Sequence, residues 1–97
     1  MDEKIMELPK ILEKIDYKIN SVYPFNIKIE INPKEPQNSF IITITKKAFK
    51  KYEKQIMMEI EDTFHEDYKV DAEVKFQKKE KPLFASNLKL FFQIKVN

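Results

Sequence analysis

Apolar residues fall at Ile5, Leu8, Leu12, Ile15 and Ile19, spacings of three and four that draw one stripe along a helix. Pro9 starts or kinks that helix, since a proline in a helix interior loses one hydrogen bond and clashes with the carbonyl four residues back. Asn20, which tolerates left-handed backbone better than most residues, is the expected C-cap. The period then changes to two. Phe25, Ile27, Ile29 and Ile31 alternate with Asn26, Lys28, Glu30 and Asn32, the signature of a half-buried strand. Asn32, Pro33, Pro36 and Asn38 supply a turn. A second strand follows, with Phe40, Ile42 and Ile44 on one side and Ser39, Ile41, Thr43 and Thr45 on the other.

The same succession then recurs. Thr45 can cap a second helix whose inner stripe is Phe49, Tyr52, Ile56, Ile60 and Phe64. A third strand sets Val70, Ala72, Val74 and Phe76 against Asp71, Glu73, Lys75 and Gln77. After a polar connector over residues 78–87, a last strand alternates Leu88, Leu90, Phe92, Ile94 and Val96 with Lys89, Phe91, Gln93 and Lys95. Ile11 and Ile15 precede Ile56 and Ile60 by 45 residues, and Tyr23, Phe25, Ile29 and Ile31 stand equally far before Tyr68, Val70, Val74 and Phe76. That spacing suggests a duplicated αββ unit, with halves 1–45 and 46–97 of a single domain, although any two αββ units share some of this alternation.

The economical packing is an α+β two-layer sandwich, a four-stranded antiparallel sheet with both helices on one face. A pseudo-twofold between the halves gives strand order 1-2-4-3. Only strands two and four carry an apolar residue on their otherwise polar faces, Ile41 and Phe91, which suits central positions. The arrangement resembles, in topology alone, a circularly permuted ferredoxin-like sandwich, a fold that hosts many unrelated functions and implies none of them.

Composition narrows the chemistry. Of 97 residues, 35% are charged and 42% apolar, a globular balance, and the net charge of +2 forces neither a nucleic-acid nor a membrane partner. There is no glycine, which removes the P-loop, the dinucleotide-binding turn and the nucleophile elbow, each built on backbone that only glycine adopts cheaply. There is no cysteine for a disulfide, a thiol nucleophile or a zinc finger. All eighteen basic residues are lysine, as AT-rich coding tends to give, so the bidentate fork that reads guanine and clamps phosphate is missing. Met1-Asp2-Glu3-Lys4 followed by Pro9 fits neither a signal nor a transit peptide, and no apolar run approaches the ~20 residues of a membrane span. A soluble cytoplasmic protein with no membrane partner is expected.

Candidate contact residues fall into three groups. Lys46, Lys47, Lys50, Lys51 and Lys54 crowd the start of the second helix, while Glu59, Glu61, Asp62, Glu66 and Asp67 occupy its end, both against the helix dipole. With Lys78, Lys79 and Lys81, and with Lys75 nearby, they form an expected anion or nucleic-acid patch. Leu83 and Phe84 follow no helix or strand period and can anchor a partner, as can Ile41 and Phe91 on the outer sheet face. The latter pair offers a single aromatic for base stacking, fewer than RNA-binding sheets use. His65, with Glu61, Asp62 and Glu66 at helical spacing, is the one sketch of a metal or acid-base site. A surface histidine at a helix end is the simpler reading, and no catalytic residue, metal or cofactor is expected.

These features favour a small non-enzymatic binding or regulatory protein acting by protein contact, with a homodimer as one form. Small size and lysine bias suit an inhibitor encoded by a virus or mobile element. The alternative is a nucleic-acid-binding module that does not read sequence.

Overall fold

Pro9 enters helix at its first turn, where the missing N–H has no intrahelical acceptor to lose. In the computed structural model, which describes residues 7–81 and 86–96, helix α1 spans Leu8–Val22. It buries Leu8, Ile11, Leu12, Ile15 and Ile19. Ile5 lies outside the described residues.

The helix does not end at Asn20. It continues to Val22, and Tyr23 closes it in extended backbone. Asn20 turns its amide onto the chain that follows: Oδ1 accepts from the Ile27 N–H at 2.7 Å, and Nδ2 donates to the Ile27 carbonyl at 3.2 Å and to Asp16 Oδ1. By satisfying both polar groups of one backbone residue, the side chain acts as a neighbouring strand would and fixes the chain's approach to the sheet.

Strand β1 is short, Lys28–Ile31, and β2 is Ser39–Thr45. Phe25 and Ile27, expected inside the first strand, precede it but still pack on the core. Thr45 Oγ1 accepts from the Ala48 N–H at 3.2 Å and starts helix α2, Lys46–Asp62. The helix bends at Tyr52 and widens at its end into a π-turn, Thr63–Asp67. Lys18 ties that turn to α1, with Nζ 3.2 Å from Thr63 Oγ1, 3.1 Å from Asp67 and 3.7 Å from Glu59.

Strands β3, Ala72–Glu80, and β4, Asn87–Val96, form a long antiparallel pair. The third strand runs further than its apolar pattern indicates. Its ladder skips Gln77 between Phe76 and Lys78, a bulge that adds one unpaired residue and resets the alternation. Phe76 lies opposite Phe92 on the helix side, Lys78 opposite Phe91 on the outer side, and Lys79 opposite Leu90 on the helix side again.

The sheet order is β1-β2-β4-β3, entirely antiparallel. Corresponding strands of the two αββ halves occupy the edges (β1, β3) and the centre (β2, β4). Phe40, Ile42, Leu90, Phe92 and Ile94 meet Ile15, Ile19, Ile56, Ile60 and Phe64 in one core. Phe40 stacks on Phe92 with centroids 5.1 Å apart and on Phe64 at 6.4 Å. Among the described residues no helix is long and apolar enough to cross a membrane.

Candidate functional site

Strand β2 ends and α2 begins at the same end of the sheet where β3 finishes and β4 starts. Thr45 pairs with Asn87, the Lys46 N–H donates to the Ser86 carbonyl at 3.0 Å, and Glu80 pairs with Lys89. This topology brings the two lysine clusters together. Lys46 and Lys50 from α2, with Lys79 from the end of β3 and Lys81 just past it, line a groove of ≈ 330 Å³. Its remaining walls are Phe49, Leu88 and Glu53. Lys79 reaches it because the bulge at Gln77 turns that residue to the helix side, where Nζ stands 6.0 Å from the centre of the Phe49 ring.

Among the described residues, four ammonium groups share this groove with one carboxylate. Partial burial and the neighbouring Lys81 charge hold the Lys46 pKa below the ordinary lysine value. Two of the first amides of α2 are already engaged, Lys46 by Ser86 and Ala48 by Thr45, so most of the positive character here belongs to side chains.

The lysines continue round the helix. Lys47 and Lys51 line a second groove, of ≈ 300 Å³, with Phe25, Ala48 and Tyr52. Beside it three rings cluster: Phe25 lies 5.0 Å from Tyr52 and 5.5 Å from Tyr23, and Tyr23 meets Tyr52 edge-on at 5.7 Å. Lys51 Nζ sits 5.5 Å from the Tyr52 ring centre, within cation–π range. The Tyr23 hydroxyl donates to Glu59 Oε2 at 3.2 Å, and burial together with the Glu59 charge raises its pKa. Lys54 is exposed one turn further along α2.

The other expected residues are distributed differently. Ile41 and Phe91 are direct partners across β2 and β4. Ile41 is only 7% exposed, and Phe91 is half-buried with Lys78 Nζ 4.8 Å above its ring, so the pair is not an open apolar patch. A groove of ≈ 360 Å³ lies over them between the turn at Asn32 and Pro33 and the outer side of β3. The bulge thus divides the second lysine cluster, Lys78 going to the outer face and Lys79 to the helix side. Lys75 and Lys78 pair with Glu73 and Glu80 at 3.6 and 3.2 Å. Leu83 and Phe84 lie outside the described residues.

His65 is exposed in the π-turn, beyond the far end of α2 from the lysines. Among the described residues no three or more histidine, cysteine or acidic side chains are grouped so as to hold a metal ion. The aromatic groove is absent from the sequence reading. Phe25 reads as the start of a strand, Tyr23 only as the repeat match of Tyr68 and Tyr52 as part of a core stripe, and the close of α1 at Val22 sets these rings beside the second helix. No family model matches this chain, and no curated protein or solved structure matches it significantly.

Proposed function

We propose that this protein is a non-enzymatic binding module that lays its lysine-rich end on the phosphate backbone of nucleic acid without reading sequence. The observation that carries the reading is the convergence of two lysine clusters, distant in sequence, on one groove that holds a single carboxylate among the described residues. A local excess of one charge is costly to the free protein and is relieved by a polyanion, so it concentrates phosphate at this end although the net charge is only +2. With no arginine on the chain, base edges meet no bidentate fork, which favours backbone contact over base discrimination.

Fluorescence anisotropy with a labelled oligonucleotide tests it. Binding should be measurable at low salt and fall linearly as log affinity against log salt. Replacing Lys46, Lys50, Lys79 or Lys81 with Gln should each reduce the slope by about 0.7 to 0.9. Undetectable binding at low salt, or a slope indifferent to all four substitutions, would refute it.

Protein contact through the outer sheet face is a second reading, supported by the groove over Ile41 and Phe91. Phe91→Ala then weakens partner binding or dimerisation while the four lysine variants leave it intact, which a pull-down and the mass in solution report.

A further inference from the structure

We infer that the groove on the other flank of α2, formed by Phe25, Ala48, Lys51, Tyr52 and Lys47, takes an unpaired nucleotide base, so that the module binds single strands in preference to duplex. The inference rests on the nucleic-acid reading above and adds to it which form of nucleic acid is bound.

Sites for single strands combine cations that follow the backbone with aromatic rings that accept a base by stacking. Both elements occur here within two turns of one helix. Lys47 and Lys51 stand at the groove, and Phe25 and Tyr52 line it with rings that are half-buried, supported on their inner sides by Tyr23 and the core. Ala48 is the small residue of the lining and leaves space between the two lysines. A volume of ≈ 300 Å³ lies at the lower end of ligand pockets, about 300 to 1,000 Å³. A duplex keeps its bases stacked on each other and offers this groove no free ring face, whereas a single strand does. The two grooves share α2, so a strand whose backbone follows Lys79, Lys46 and Lys50 can continue to Lys47 and Lys51 with a base turned inward.

The experiment compares a labelled oligothymidylate with a duplex of equal length against the intact chain. The single strand should bind roughly tenfold tighter, and Phe25→Leu and Tyr52→Leu should weaken it by roughly 5- to 100-fold while leaving duplex binding unchanged. Tyr52→Trp, which keeps a stacking surface, should retain the preference, and thermal melting shows that each variant is folded. With no tryptophan in the chain, oligothymidylate should also quench tyrosine emission, and less so in Tyr52→Phe. Equal affinity for both forms, unaffected by the leucine variants, overturns this inference and leaves the backbone-binding reading standing. Failure of both nucleic acids to bind removes both. Equal binding of polyglutamate at matched charge points to an acidic protein surface and overturns both as well.

Discussion

At the scale of single residues, side chains perform work usually given to backbone or to glycine. Asn20 holds the N–H and carbonyl of Ile27 with one amide. Ile27 is buried, so Asn20→Ala strands a buried donor, and the loss should be about 1 to 3 kcal/mol in urea unfolding. Asn20→Gly should be at least as harmful, whereas a left-handed cap at this position would have made glycine benign. Lys46 is the opposite case, a residue whose charge is disfavoured by the fold and which the proposed contact would use. Folding lowers its pKa, so the unfolded chain holds the proton more tightly, and stability rises with pH through the window just below the ordinary lysine value. Lys46→Gln should raise the melting temperature of the free protein and remove that alkaline gain. The same variant should weaken polyanion binding, and in the parent protein affinity should decline as pH enters that window.

At the scale of elements, the bulge in β3 decides which lysines act together. Regular alternation would put Lys78 on the helix side with Phe76 and send Lys79 outward. The observed ladder reverses both. Lys79→Gln should therefore weaken oligonucleotide binding and Lys78→Gln should leave it nearly unchanged, and the reverse result in the anisotropy assay would mean that the groove is not the contact. Sequence could not foretell this. Residues 78–81 are all charged, so no apolar side chain marks which face each one takes, and the bulge shows only in the register with β4, whose Leu88, Leu90, Phe92 and Ile94 face the core. In β2 and β4 the inward face was legible from Phe40, Ile42, Ile44, Leu88, Leu90, Phe92 and Ile94, and strand order followed from the pseudo-twofold, with Ile41 and Phe91, the apolar exceptions on the outer face, marking the central strands. The aromatic groove was hidden for a related reason: Tyr23, Phe25 and Tyr52 satisfy local periodic patterns, and their meeting depends on where α1 ends.

At the scale of the whole molecule, charge is separated along α2. The lysines cluster where the helix leaves the sheet, and Glu59, Glu61, Asp62, Glu66 and Asp67 lie at its other end, so a net charge of +2 conceals two poles. A helix of 17 residues is ~25 Å long, beyond the Debye length of ~8 Å at physiological salt, so the field of each pole is screened from the other. Strand order also carries a consequence in time. The β1–β2 and β3–β4 pairs each close a short stretch of chain, whereas partners across β2 and β4 lie between 42 residues apart, Thr45 with Asn87, and 54 apart, Ser39 with Gln93. The central seam is the entropically expensive closure, and it waits on the last strand. Until residues 87–96 are in place, β2 has an open edge and Phe40 lacks the ring it stacks on, so docking of two locally closed hairpins is the expected late step of folding.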